Sequence, residues 1–275
     1  MGPLPLGSRV HNSLEAFYKD GSNPVEVYKA LLEVDENLFA MSEDYNDEAM
    51  HKKFESEAEL GRLMLEGYLE WLDETGADAQ YEVVSVENKI STIIHDGRVE
   101  LQGKTDMIVR DKMDGARLIL DHKTAATFND YYKTSHMSEQ LMLYCMIEKM
   151  RDDGDLTPVE GGVYNLLRKT KRTATAKPPF YERITVRFNT ETLRSYWVRV
   201  NGVVRDMMAV RDALDAGEDH KYVAYPSPTK DCTWKCPFFQ ACPMFDDGSS
   251  VESWLTEFTE QHNPYERYED NGDKE

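Results

Sequence analysis

Apolar residues recur at helical spacing through the first third of the chain. Val10, Leu14 and Phe17 lie at positions i, i+4 and i+7, which predicts an amphipathic helix over residues 8–18. Two further helices are predicted over residues 23–39 and 47–75, the second ending at Gly76.

The pattern then changes to that of strands. Residues 81–110 are rich in β-branched side chains, with a turn at Asp96–Gly97, and a second turn at Asp114–Gly115 leads into an apolar strand over 116–123. The remaining predicted elements are a helix over 138–150, strands over 162–167 and 181–188, and a long helix over 190–216. This order predicts an α/β fold with a central mixed β-sheet flanked by helices.

Composition narrows the class of protein. Of 275 residues 40% are apolar, which is enough for a sizeable core, and no run approaches the roughly 18 apolar residues of a membrane span. The first residues lack the basic and apolar regions of a secretory signal, so a cytoplasmic location without membrane contact is expected. A net charge of −19 argues against nucleic acid as a partner. One stretch runs against that average, with five basic and no acidic residues: Arg168, Lys169, Lys171, Arg172 and Lys177.

Two carboxylates are predicted to meet across a hairpin. If the Asp114–Gly115 turn pairs Arg110 with Arg117, then Asp106 lies opposite Asp121. Two opposed carboxylates repel each other unless a cation lies between them, and hard oxygen ligands suit Mg²⁺ or Mn²⁺. The alternative is a solvated acidic pair at a sheet edge. Lys123 shares the face of Asp121 and would lie beside a metal-bound water and a phosphate, whereas the side chain of His122 points the other way.

Four short motifs occur in order along the chain: Gly7-x-x-x-His11-x-x-x-Glu15, Gly103-x-x-Asp106, Asp121-x-Lys123 and Gln140-x-x-x-Tyr144. Together they resemble the RecB-like branch of the PD-(D/E)XK nucleases, over about residues 7–245. The resemblance is closest to phage and CRISPR-associated members with a C-terminal cysteine cluster. It implies a restriction-endonuclease-like core over residues 1–230, with a cysteine-cluster appendage packed on it over 231–250. Residues 251–275 contain eight acidic and two basic residues, and this composition predicts an acidic, partly disordered tail.

The resemblance also implies roles for individual residues. The metal would be held by His11, Asp106, Asp121 and the backbone carbonyl of His122, with Glu87 as a further candidate. Lys123 would orient or deprotonate the attacking water, and Gln140 and Tyr144 would face the site. Packing roles remain the alternatives for His11 and Tyr144, and Glu15 is expected to support the site without binding the metal.

The cysteines form a second candidate centre. Cys232, Cys236 and Cys242 have spacing typical of metal ligands. In the resembling nucleases such a trio joins an upstream cysteine to hold a [4Fe–4S] cluster. No cysteine precedes His11 here, so zinc, a substitute ligand or an empty reduced trio remain alternatives. Cys145 is expected to be a buried thiol.

The sequence therefore predicts a metal-dependent DNA nuclease. An exonuclease acting on single-stranded ends or overhangs is favoured, in phage DNA processing or recombination, with a recombination or adaptation protein as a further partner. The basic stretch over 168–177 would form an exposed loop that contacts the strand. The alternatives are a non-catalytic DNA-binding or assembly module, and a structure-specific endonuclease subunit.

Overall fold

The computed structural model describes residues 4–150 and 158–260. The chain divides into two units, residues 1–200 and 201–275, which are described separately. The division falls inside the last long helix. It therefore lies upstream of residue 230, the position at which the sequence predicts the end of the core.

The described elements follow the predicted order. The first unit contains α1 (Leu6–Asp20), α2 (Pro24–Ala40), α3 (Glu48–Thr75), β1 (Tyr81–Ile94), β2 (Val99–Asp111), β3 (Arg117–Ala125), α4 (Asn129–Thr134), α5 (Glu139–Met150), β4 (Val159–Arg168), β5 (Tyr181–Arg187) and the first part of α6 (Thr190–Asp215). Short 3₁₀ turns cover Glu43–Asn46 and Ser135–Met137.

Local signals explain the helix boundaries. Gly21 and Gly76 end α1 and α3 in the left-handed region, with φ of 78° and 61°. The side chain of Asn23 accepts hydrogen bonds from the first backbone N–H groups of α2, and Asp47 does the same for α3. The short helix α4 was not predicted, because six residues without a capping side chain are too few for a helical periodicity to show.

The sheet is mixed, as predicted. Its five strands lie in chain order, and all neighbours are antiparallel except β3 and β4, which are parallel. The connection between these two carries α4 and α5, as a parallel pair requires a crossover.

Helices cover both faces of the sheet. On one face α5 and the start of α6 pack over Ile108, Ile119 and Leu166. On the other, α1, α2 and α3 share a core that includes Leu167 and Tyr181. Successive residues of a strand point to opposite faces of the sheet, so the side chains of Asp121 and His122 lie on opposite faces.

As far as residue 260, the second unit comprises the rest of α6 and four short helices: α7 (His220–Val223), α8 (Cys232–Lys235), α9 (Met244–Asp247) and α10 (Val251–Phe258). The segment predicted as an acidic tail thus begins with a helix, and residues 261–275 lie outside the described part of the chain. No helix in the described ranges is both long and apolar enough to cross a membrane.

Candidate active site

Asp106 and Asp121 are brought together by the β2–β3 hairpin. The pairing runs from Arg110 with Arg117 to Met107 with Leu120, which is the predicted register and makes Asp106 and Asp121 the next opposed positions. The backbone N–H of His122 donates to Oδ2 of Asp106 at 2.7 Å. The carboxylate of one strand is thereby fixed against the backbone of the other.

Burial and proximity give the two carboxylates different pKa values. Burial favours a raised pKa at Asp106, but hydrogen bonds from His11 and the His122 backbone outweigh it and hold the pKa below its usual range. At Asp121, burial and the negative charge of Asp106 raise the pKa despite the nearby ammonium of Lys123. Two carboxylates that compete in this way make a site that attracts further positive charge.

Two basic side chains already lie against the pair. Nδ1 of His11 is 3.4 Å from Oδ2 of Asp106, and Nζ of Lys123 is 2.7 Å from Oδ2 of Asp121. Burial lowers the pKa of Lys123, but the charges of Asp121 and Asp106 outweigh this and raise it. The lysine is therefore protonated at neutral pH in this structure, which suits it to stabilising negative charge. His11 and Lys123 keep 28% and 27% of their side chains exposed, so the site is open to a substrate.

Helix α5 supplies two polar groups to the lysine. Lys123 donates to Oε1 of Gln140 at 3.2 Å, and Nε2 of Gln140 donates to the hydroxyl of Tyr144 at 3.2 Å. The ring of Tyr144 packs directly on Gly103, where a Cβ would lie 2.5 Å from a ring carbon. The motifs Gly103-x-x-Asp106 and Gln140-x-x-x-Tyr144 are therefore in direct contact through Gly103 and Tyr144.

Helix α1 begins beside the end of β3. A Cβ on Gly7 would lie 3.3 Å from Oγ1 of Thr124, the residue after Lys123. One turn further along, His11 reaches Asp106. Glu15 lies on the same face and forms an ion pair with Lys19 at 3.6 Å.

Glu87 lies across from Asp106 in the β1–β2 register, between paired positions 86 and 88. Its backbone is left-handed, with φ of 54°, which is uncommon for a residue other than glycine. Burial raises the pKa of its carboxyl although Lys104 forms an ion pair with it. The carboxylate suggested as a further metal ligand is therefore held by a lysine in this structure.

A buried polar network behind the site was not predicted from the sequence. His122, Asn165 and Arg183 are paired side by side across β3, β4 and β5. Nδ2 of Asn165 lies 2.8 Å from Nδ1 of His122 and donates to the hydroxyl of Tyr68, while its Oδ1 accepts from Nε of Arg183. The ring of Tyr18 stacks on His122. The sequence contained one signal of this network: Asn165 is a polar residue inside the apolar strand predicted over 162–167.

This network fixes the state of His122. Because Arg183 orients the amide of Asn165, that amide donates to Nδ1, and the imidazole is neutral with its proton on Nε2. Burial lowers its pKa to about 3, which agrees with a neutral ring. The side chain faces away from the carboxylates, as predicted, and anchors the strand that carries them.

The donor set fits a divalent cation in its chemistry. Asp106 and Asp121 supply hard carboxylate oxygens and His11 an imidazole nitrogen, and Oδ2 of Asp121 is buried without a hydrogen bond beyond its ion pair with Lys123. Nevertheless, no three His, Cys, Asp or Glu side chains within residues 4–150 and 158–260 converge as a ready-made ligand group.

The same observation applies to the cysteines. All four are free thiols; Cys145 is buried, while Cys232, Cys236 and Cys242 are partly or fully exposed. Within the described residues the last three do not form a group that could hold a metal ion, so nothing in the structure supports the expected iron–sulfur cluster or the zinc alternative.

The basic loop between β4 and β5 is exposed but partly neutralised. Lys171 and Arg172 form ion pairs with Glu59 and Glu70 of α3. Arg168 donates to two backbone carbonyls. Lys169 and Lys177 remain exposed, and neither forms an ion pair within 4.0 Å among the described residues.

A family model and a solved structure are similar to this chain. A family model described as the PD-(D/E)XK nuclease superfamily matches residues 2–243. A crystal structure named "Putative exonuclease" from Eubacterium rectale is similar with a TM-score of 0.45 and 10% identity, covering 86% of this chain and 82% of that one. No curated protein matches the sequence significantly.

Proposed function

The chain belongs to the PD-(D/E)XK nuclease superfamily, and from this premise we propose that it is a metal-dependent DNA nuclease that hydrolyses phosphodiester bonds. The observation that carries the proposal is the opposed pair Asp106 and Asp121 with Lys123 ion-paired at its edge. Members of the superfamily generally use divalent metals.

Each side chain of the site has a role in this reaction. Asp106, Asp121 and His11 would hold Mg²⁺ or Mn²⁺, with the carbonyl of His122 as a further ligand. The bound ion would lower the pKa of a water molecule and offset charge on the phosphate. Lys123 stabilises the charge that grows on the phosphate oxygens. Gln140 orients that ammonium and is itself held by Tyr144.

The test is digestion of end-labelled DNA by the purified protein in Mg²⁺ or Mn²⁺. Lys123→Ala is expected to reduce the rate by about a hundredfold or more, because it removes a preorganised charge at the phosphate. Lys112→Ala is the matched control, since that lysine lies in the turn after β2 and its ammonium donates to the backbone carbonyl of Ala79. Equal digestion by wild type and Lys123→Ala, or digestion in excess EDTA, would refute the proposal.

We further propose an exonuclease that acts on single-stranded ends or overhangs, within phage DNA processing or recombination. The exposed loop with Lys169 and Lys177 supports contact with a strand. Circular and linear single-stranded DNA of the same sequence separate the subtypes. Loss of the circular substrate at the rate of the linear one would favour an endonuclease.

A further inference from the structure

A cavity of about 590 Å³ lies at the start of α1, between the end of α2 and the first half of α3. Its wall is largely apolar, with Leu6, Phe39, Met50, Phe54 and Leu60 among the lining residues. The rings of Phe39 and Phe54 stack with centroids 5.0 Å apart. The volume and wall are those of a site for a small organic ligand.

Arg9 is buried at this cavity with unused hydrogen-bond donors. Its side chain is 1% exposed, and Nη1 donates to Asp35 and to the backbone carbonyl of Leu4. Nε and Nη2 have no hydrogen-bond partner in the described residues, although a carboxylate oxygen of Glu57 lies 3.8 Å from Nη2 and the guanidinium lies over the rings of Tyr28 and Phe54, 5.9 and 5.5 Å from their centroids. Buried donors without partners are costly. An acceptor in the cavity would satisfy them.

The cavity is positively charged within an acidic chain. Arg9, Lys53 and Lys169 line it against one lining acid, Glu57, and Arg9 is also ion-paired with the buried Asp35, so the surplus positive charge comes from the two lysines. Helix α1 also begins here: its first intrahelical bond is from the N–H of Arg9, so the preceding N–H groups have no helical acceptor, and its N-cap makes no side-chain bond. Helix N-termini favour anions. The cavity therefore fits an anionic group attached to an apolar or aromatic body.

The cavity adjoins the candidate active site. The backbone N–H of Lys169 donates to the carbonyl of Ala125 at 2.8 Å, and Gly7 packs against Thr124. Thr124 and Ala125 directly follow Lys123 in β3. A strand held at the carboxylates could therefore place its end at the cavity.

We propose that this cavity binds the terminal nucleotide of a DNA strand through its phosphomonoester, with the phosphate at Arg9, Lys53 and Lys169 and the nucleoside on the aromatic wall. The inference rests on the proposed nuclease function and deepens it by naming the form of substrate that the protein selects. A terminal phosphomonoester carries more negative charge than an internal phosphodiester, which matches the surplus positive charge of the cavity.

Binding is tested by calorimetry on the full chain in EDTA, with thymidine 5′-monophosphate, thymidine 3′-monophosphate, inorganic phosphate and thymidine. We expect a monophosphate to bind and thymidine not to bind. Lys53→Glu should weaken nucleotide binding about tenfold, because it replaces a charge-assisted contact by repulsion. Lys52→Glu is the charge-matched control, since Lys52 pairs with Glu48 and does not line the cavity. Equal effects of the two variants, or binding of thymidine as tight as of its phosphates, would overturn the inference.

Arg9 is not substituted in this experiment, because its removal would leave Asp35 charged and buried and would destabilise the fold. The exposed Lys53 avoids this difficulty.

Cleavage supplies an independent measurement. Wild type should degrade strands with a terminal phosphate about tenfold faster than strands with hydroxyl ends, and Lys53→Glu should reduce this preference. Comparing 5′- and 3′-phosphorylated strands identifies the end that is bound. An active nuclease indifferent to terminal phosphate would overturn the cavity assignment and leave the nuclease intact. An inactive protein that still binds the monophosphate through Lys53 would overturn only the proposed catalysis.

Discussion

Replacing Asn165 by leucine tests whether the network behind the site holds β3 in place. The amide of Asn165 makes three contacts, at 2.8 Å to His122, 3.0 Å to Tyr68 and 3.1 Å to Arg183. Leucine is similar in size, so it removes the hydrogen bonds with little change in packing volume.

The magnitude follows from the partners that would remain. Tyr68 keeps a contact with Tyr18, and Arg183 keeps its ion pair with Asp78, but Nδ1 of His122 would have no donor. One buried acceptor left unpaired at His122, together with a donor lost to the Tyr68 hydroxyl and an acceptor lost to Nε of Arg183, costs about 3 kcal/mol.

The assay is hydrogen–deuterium exchange of peptides that cover β3 and β4, because it reports local opening in a chain with two units. A loss of about 3 kcal/mol would speed exchange there about a hundredfold. Asn37→Leu is the matched control: its amide donates to the Glu33 carbonyl on an exposed face of α2, so exchange in the strands should not change. Unchanged protection of β3 in Asn165→Leu would show that the network does not anchor the strand.

Three further outcomes are expected. Gly103→Ala should reduce nuclease activity about tenfold by displacing the ring that packs on it, whereas Gly202→Ala, where a Cβ meets nothing within 4 Å, should have no effect; equal activities would contradict the contact. Cys145, whose pKa burial raises to about 12, should react with a thiol reagent only after unfolding, whereas rapid reaction of all four thiols would contradict its burial. Lys177→Ala should lower the salt dependence of DNA binding by about one unit of slope, and Lys171→Ala should lower it less because that lysine is ion-paired; equal slopes would refute the assignment.

The fold could be predicted from the sequence because its local signals agree. Asn23, Asp47 and Gly76 mark helix ends that the structure reproduces within a residue or two. The turn residues at 114 and 115 set the register of β2 and β3, which in turn opposes the two aspartates. Such short-range signals depend on neighbours in the chain.

Parts of the candidate site depend instead on partners distant in sequence. Asn165 and Arg183 meet His122 only because β3 pairs in parallel with β4 and β4 with β5, and no spacing in the chain encodes that pairing. The ion pair of Glu87 with Lys104 and the contact of Tyr144 with Gly103 arise in the same way. The order of the motifs indicated which residues lie in one site. It did not indicate which hydrogen bonds and ion pairs each side chain forms.

The charged residues of the chain are unevenly distributed, which its net charge does not show. Glu59 and Glu70 on α3 pair with Lys171 and Arg172, so part of the loop expected to grip DNA is neutralised within the protein. The positive charge left for a substrate lies at Lys169 and Lys177, with Lys53 beside the cavity. With few phosphate contacts and a net charge of −19, non-specific affinity should be weak and should fall with salt. Contacts with a long stretch of DNA backbone would therefore add little to the affinity of this protein. Its selectivity would then depend on two sites where charge is concentrated. The carboxylate pair would bind a cation, and the cavity would bind an anion.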